Sequence, residues 1–181
     1  VVIPVRNGAR TIAACVESVL AQDYPKDRYE VIVSDNDSTD GTGDILRAYP
    51  VTVVRETAEH SAAAARNCGI RAGHGELLAF IDADCIASVG WLRLGVAAFT
   101  EDGIGAVAGE VQAHAPRTIA ERYAVFRRTL SQQYTLTESF KPYAQTCNVF
   151  YRRSVLDRIG LFDQSLVIVE DADLAWRMQD E

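Results

Sequence analysis

Apolar and polar positions along this chain follow two alternating periods, and the alternation predicts its elements. Short apolar runs of strand length recur at Val1–Val5, Tyr29–Val33, Val51–Val54, Glu76–Asp82 and Gly105–Val111. Between them the spacing is helical. Ile12, Cys15, Val16, Val19 and Leu20 fall at i, i+3, i+4, i+7 and i+8, one face of a helix that Thr11 can cap and that runs to about Gln22. Pro25 and the charged Lys26-Asp27-Arg28 end it, and a short helix is expected over 42–48. Ser61 caps an alanine-rich helix, Ala62–Arg71, stopped by Gly73 and Gly75, and Ser88 can cap another around Trp91–Phe99. Strand and helix thus alternate through the first 112 residues, which implies an α/β fold with a mostly parallel central sheet and helices on both faces.

Residues 113–142 break that rhythm. Pro116 opens a polar-aromatic stretch with Tyr123, Phe126, Arg127, Arg128 and Tyr134, expected to be helical to about Gln133. A strand at Gln145–Tyr151, a short helix at Ser154–Ile159 closed by Gly160, and a last helix over Glu170–Gln179 follow. There is no internal repeat and no low-complexity linker, so a single domain is expected, with residues 1–112 as one half and 113–181 as the other.

Composition narrows the function. At 181 residues the chain can bury a real core without staples. The net charge is −7 and the 18 lysines and arginines form no dense run, which argues against a nucleic-acid partner. No stretch reaches the roughly 18 consecutive apolar residues of a membrane span. Val1 already begins a strand-like run, so no signal peptide is read. The abrupt start, and an end inside a helical pattern at Glu181, suggest a fragment with trimmed termini. Cys15, Cys68, Cys85 and Cys147 are far apart, with no C-x-x-C and no histidine at zinc spacing; reduced, mostly buried thiols in a cytosolic protein are expected.

The chemistry collects where strands end. Asp-x-Asp occurs three times, at 35/37, 82/84 and 171/173. Ligands of open α/β sheets sit at the carboxyl ends of the strands. Strand one ends in Pro4-Val5-Arg6-Asn7, strand two in Asp35-Asn36-Asp37 and strand four in Asp82-Ala83-Asp84. Side chains two apart on an extended chain share a face, so Asp82 and Asp84 can present two hard oxygen donors to Mg²⁺ or Mn²⁺. The dinucleotide fingerprint, the phosphate loop G-x-x-x-x-G-K-[ST], G-x-S-x-G and H-E-x-x-H are all absent. Without a glycine-rich anion loop, a divalent metal must carry most of the charge of a nucleotide diphosphate.

Six blocks in order, Val2-Ile3-Pro4-Val5-Arg6-Asn7, Asp35 to Thr42, Ala65-Arg66-Asn67-Cys68-Gly69-Ile70, Asp82-Ala83-Asp84, Cys147 to Ser154 and Glu170 to Arg177, resemble family 2 glycosyltransferases of the Rossmann-like GT-A fold. Across nearly the whole chain the ordered set is highly specific. The resemblance implies a nucleotide pocket lined by Pro4, Val5, Arg6 and Asn7, largely through backbone. It places Asp35 and Asn36 at the base, with Arg66 and Ala83 beside the donor, Asp82 on ribose or metal, and Asp84 on the metal. Asp171 matches the catalytic base. Asn36 stands where many relatives carry a second Asp, and Asp37 where glycine is common; an amide both donates and accepts, so uracil, thymine and guanine stay open.

The resemblance further implies inverting transfer of a sugar from a nucleotide-diphosphate sugar to a hydroxyl of a carbohydrate or lipid-linked acceptor. Polysaccharide, glycolipid or cell-envelope synthesis is the expected setting, in the cytoplasm or at the inner membrane face with peripheral membrane association. A sugar-phosphate nucleotidyltransferase is one rival, but Arg6-Asn7-Gly8-Ala9-Arg10 is a poor glycine-rich loop. A non-catalytic nucleotide-sugar-binding module is the other.

Several residues carry plainer readings beside these. Acidic residues at a helix start are favoured by the macrodipole whether or not Asp171 is a base. Asp173 and Arg177, at i and i+4, read as a helix salt bridge. Arg66 and Asn67 fit a solvated helix face as well as a place near the diphosphate. Trp176 fits the core as well as the acceptor side. His60, His74 and His114 read as surface residues and Cys85 as packing, since thiols suit these metals poorly. Residues 113–142 offer an acceptor wall or membrane-facing surface, or a solvated helix covering the sheet.

Overall fold

The computed structural model describes residues 1–113, 116–128, 131–137 and 140–181. Six strands form one sheet: β1 (Val2–Val5), β2 (Ile32–Asp35), β3 (Thr52–Arg55), β4 (Leu77–Ile81), β5 (Ala106–Ala108) and β6 (Asn148–Arg152). Their order is β3-β2-β1-β4-β6-β5. The pairs β1/β2, β2/β3 and β1/β4 are parallel, and β6 runs antiparallel to both β4 and β5. The sheet is therefore mostly parallel, with one reversed strand contributed by the second half of the chain.

Period-two alternation divides the strand side chains between two cores. Ile3, Val5, Val33, Ala79 and Ile81 face α1 (Ile12–Leu20) and α4 (Trp91–Ala97). Val2, Leu78, Phe80, Val149 and Tyr151 face the other side, where Ala63 and Ile70 of α3 (Ala62–Ala72), Leu156 of α7 (Arg153–Ile159) and Leu174 of α8 (Glu170–Gln179) pack. A short α2 (Thr42–Leu46) completes the first half. The seat of α3 is tight: a Cβ at Gly69 would meet Val2 Cγ1 at 2.5 Å, so glycine there lets the helix lie directly on β1.

The strand expected at Tyr29–Val33 lies further on, because the parallel ladder pairs Val2 with Ile32 and Val5 with Asp35. Tyr29 instead donates its hydroxyl to Val19 O at 3.2 Å, beneath the end of α1. Ser61 does cap α3, accepting from Ala64 N at 3.1 Å. Thr11 and Ser88 make no side-chain cap. The long helix expected to Gln133 is two: α5 (Ile119–Phe126) ends before Arg128, whose φ of 52° breaks the helical path, and α6 (Gln132–Thr137) follows. Among the described residues no helix is long and apolar enough to cross a membrane.

Candidate functional site

The chain leaves β1 toward β2 and β3 on one side and returns to place β4 on the other. This reversal opens a crevice at the carboxyl ends of β1 and β4, where α/β sheets bind ligands. A cleft of about 540 Å³ lies there. It brings together Pro4, Val5, Arg6, Asn7, Asn36, Arg66, Asp82, Ala83 and Asp84, with His60, Ser61 and Ala62 at the start of α3. That helix start adds a positive dipole end to the cleft wall.

The floor is built by two loops that hold each other. Asn7 N donates to Ser38 Oγ at 2.8 Å, Gly8 N to Thr42 Oγ1 at 2.9 Å and Ala9 N to Asp40 Oδ2 at 2.9 Å. Thr39 N donates to Asn7 Oδ1 at 2.8 Å, so the Asn7 amide oxygen as well as its backbone N–H is spent on the scaffold. Asp35 does not line the cleft. It is buried at 4% exposure and its carboxylate accepts from Ser38 N at 2.9 Å, which forms the turn rather than a base contact. Asn36 does line it, with both amide hydrogens engaged on Glu56 O (3.2 Å) and Glu59 O (2.7 Å). A buried amide used this way offers a ligand its carbonyl oxygen.

The Asp82–Asp84 pair is assembled by a turn, not by an extended strand. β4 ends at Ile81, and Cys85 N donates to Asp82 O at 3.0 Å. Burial pushes the Asp82 carboxyl above the ordinary range, with Arg66 opposing that shift and Asp84 adding to it. Among the described residues no group of three or more His, Cys, Asp and Glu side chains is arranged to hold a metal alone. Two carboxylates opening into a cleft fit Mg²⁺ or Mn²⁺, which keep waters and take the rest of their shell from substrate phosphates. Burial pushes the Cys85 thiol up to about 12, and it donates toward Asp84 Oδ1 at 3.8 Å, so it adds no thiolate ligand.

Asp171 lies outside the cleft lining, on the first turn of α8. Burial raises its carboxyl above the ordinary range, against a bond from Ala172 N at 2.8 Å. One charged bridge joins α8 to the cleft: Arg66 Nη1 donates to Glu170 Oε1 at 2.6 Å and Arg66 Nη2 to Asp82 Oδ1 at 3.5 Å. Arg66 and Asn67 are thus not on a solvated face, and Arg66 lines the cleft with its guanidinium engaged on two carboxylates. Asn67, 2% exposed, pairs both ways with the Phe162 backbone at 2.8 and 3.0 Å.

The Asp173–Arg177 ion pair is present at 2.8 Å, and Arg177 also donates to Ile159 O and Leu161 O. Trp176 is 38% exposed and donates to Lys141 O, so it is not core. His74 is exposed, and His114 lies outside the described residues. His60 is more than surface, for it lines the cleft between Arg6 (3.1 Å) and Asp37 (3.4 Å). Glu170 and His60 are the residues that sequence reasoning passed over. The only signal for either was adjacency, to Asp171 and to the Ser61 cap.

Comparison with known proteins agrees with this geometry. Glycosyltransferase AglE of Haloferax volcanii is 37% identical over 183 residues, covering 97% of this chain and 59% of that protein. The Escherichia coli UDP-Glc:alpha-D-GlcNAc-diphosphoundecaprenol beta-1,3-glucosyltransferase WfaP is 36% identical over 87 residues, 46% of this chain and 34% of that protein. Among solved structures, the mannosyltransferase PcManGT of Pyrobaculum calidifontis, in complex with GDP-Man and Mn²⁺, superposes with a TM-score of 0.77 at 28% identity, covering 98% of this chain and 50% of that one. The chain thus spans a little over half of AglE and half of PcManGT. The model of glycosyl transferase family 2 matches residues 1–160, and with the GT-A fold of its structural neighbours this chain belongs to that family.

Proposed function

We propose that this chain is the catalytic domain of an inverting glycosyltransferase that moves a sugar from a nucleoside-diphosphate sugar to an acceptor hydroxyl in the synthesis of a cell-envelope glycan. One observation carries the reading: the cleft where β1 and β4 diverge gathers backbone, an amide acceptor, a helix N-terminus and the Asp82–Asp84 pair. The complex of PcManGT with GDP-Man and Mn²⁺ supports a nucleotide-sugar donor and a divalent ion. Asp84 and Asp82 would hold that ion, which when bound neutralises charge on the departing diphosphate. Asp171 takes the proton from the acceptor hydroxyl. The oxygen forms its bond to the anomeric carbon on the face opposite the diphosphate, whose bond to that carbon breaks with the electron pair. One displacement inverts the configuration and needs no covalent nucleophile.

A lipid-linked acceptor is supported by the name of WfaP, which acts on a diphosphoundecaprenol substrate, and by α5. None of its eight residues is buried. Ile119, Tyr123 and Phe126 share one side of the helix, with Arg122 and Arg127 flanking it, the arrangement of a helix that lies on an anionic membrane surface.

Metal-dependent hydrolysis of a panel containing UDP-glucose, UDP-N-acetylglucosamine and GDP-mannose, with Mn²⁺ and then with excess chelator, tests the main reading. Release of free sugar that chelation abolishes is expected. Release of diphosphate from a nucleoside triphosphate and a sugar phosphate, with no sugar release, would instead favour a nucleotidyltransferase.

A further inference from the structure

The geometry points to Glu170 and Arg66 as a positioning pair that sets where the Asp171 carboxylate stands relative to the donor cleft, Glu170 acting through Arg66 and not on substrate. This rests on the reading of Asp171 as the base. The pair links α3 to α8 out of solvent: the side chains of Arg66 and Glu170 are only 7% and 13% exposed, and their atoms are 2.6 Å apart. Asp82, by contrast, is 36% exposed and stands 3.5 Å from the same guanidinium. Arg66 is therefore committed to Glu170 first, and reaches Asp82 with its remaining nitrogen. A donor that needed Arg66 would have to take it from a buried carboxylate, which is costly.

The neighbouring chain shows what the pair restrains. Phe162 is pinned by Asn67, the next residue of α3, and its ring lies 5.6 Å from the Arg66 guanidinium. Eight residues later Glu170 is pinned by Arg66. Between the two pins, Val167, Ile168 and Val169 are 89%, 73% and 55% exposed and bury little that could hold the segment. Val169 has a φ of 64°, a conformation that a β-branched side chain resists and that persists only where the surroundings enforce it. The Arg66–Glu170 bond is immediately next to that residue. Two consecutive side chains of one helix thus fix both ends of the segment that delivers Asp171. That helix is itself seated on β1 through Gly69, so the position of Asp171 is referred back to the sheet that shapes the cleft.

The test uses Glu170→Gln, which keeps shape and a hydrogen bond to Arg66 while removing the charge. Arg66→Lys, which keeps the charge but not the fork, is the second variant, and Asp171→Asn the reference. Probes are UDP and GDP with Mn²⁺ for binding by titration calorimetry, and the panel sugar that the parent chain hydrolyses for turnover. Hydrogen exchange over residues 167–175 reports the segment itself. Glu170→Gln should keep nucleotide affinity, lower kcat about 10- to 100-fold with little change in KM, and raise exchange over 167–175, since a misplacement near 1 Å can cost on the order of a hundredfold. The double variant with Arg66→Lys should be no worse than the poorer single, because the two act as one unit.

Parent-like kcat or unchanged exchange in Glu170→Gln overturns the proposal, as does a loss of nucleotide or Mn²⁺ affinity, which would put Glu170 in the donor site. Additive losses in the double variant also overturn it. If Asp171→Asn retains turnover, the base assignment falls and this inference with it. An inactive Asp171→Asn beside an active Glu170→Gln overturns the positioning role alone.

Discussion

The loops at the ends of β1 and β2 and the segment from Pro116 to Lys141 are similar in polarity, yet they are held in different ways. The first are cross-braced: five hydrogen bonds between residues 7–9 and 38–42 run from one loop to the other, four of them 2.8–2.9 Å long. Among the described residues of the second, Gln132, 2% exposed, donates to Gln145 O and accepts from Gln145 N. Ahead of it α5 stands exposed on all its residues. A braced loop presents its backbone in one arrangement before any ligand arrives, which limits the ordering entropy that binding must overcome. The cleft is of this kind, whereas the surface proposed for the acceptor is not.

The largest expected effect separates the braced donor cleft from the region of Asp171 chemically. Asp171→Asn should lower turnover by roughly 10²- to 10⁴-fold, the usual worth of a general base, while UDP or GDP binding with Mn²⁺ stays near that of the parent. Titration calorimetry beside a hydrolysis assay measures both. Loss of nucleotide binding in this variant would merge the two regions into one site and remove the base assignment.

Next comes the clamp that joins α3, on the cleft wall, to the segment leading to Asp171. Asn67→Ala removes two buried bonds to Phe162 and leaves that backbone N–H and C=O without partners. A loss of about 2–4 kcal/mol is expected from two such bonds, read as a lower urea midpoint with a single transition. A biphasic transition would show the part of the chain after β5 unfolding on its own. One sheet argues against that, since β6 lies between β4 and β5 and ties residues 148–152 to both.

A pH profile sharpens the same comparison. Burial raises the Asp171 carboxyl, so its folded value lies above its unfolded one. The folded chain then holds this proton more tightly than the unfolded chain, and the ionised form is the one that burial disfavours. Stability from this group is therefore greatest below the unfolded value and is lost as pH rises through the folded value. Activity has the opposite sign, since the base must be ionised. The acid limb of kcat should sit above the ordinary aspartate range, and a limb at or below that range would exclude Asp171 as its source.

How much of this was legible in the sequence follows from how local each determinant is. α1, α3 and α8 were read within a residue or two of their bounds, because an apolar stripe or a cap is written in adjacent positions. β2 was misplaced by its ladder with β1, a pairing of residues thirty apart. The cleft residues Pro4 to Asn7, Asn36 and Asp82 to Asp84 were gathered from strand ends, since the sheet rule places such ends together, while Arg66, on α3, came only from the family resemblance. Asp35 shows the limit of that rule: it stays outside the cleft lining, because a carboxylate that caps its own turn looks, in sequence, like one that faces a ligand. The solvated-face reading of Arg66 and Asn67 failed for a related reason: their partners, Glu170 and Phe162, are 104 and 95 residues away.

The smallest effect concerns α5. Phe126 is 80% exposed and Ile119 87%, so neither side chain contributes much burial to the chain as described. Phe126→Glu should leave thermal stability within about 0.5 kcal/mol, as exposed substitutions usually do. The same change places a carboxylate between Arg122 and Arg127 on the face that would meet lipid, and a charge there opposes both insertion and attraction to anionic headgroups. Sedimentation with vesicles containing phosphatidylglycerol should therefore fall for the variant, while vesicles of phosphatidylcholine alone recruit neither protein. A large loss of stability would mean that α5 is covered within the folded protein, and equal recruitment of parent and variant would mean that lipid meets some other face. Either result would turn the contrast between a braced cleft and an open acceptor surface into a property of the isolated segment, not of the working enzyme.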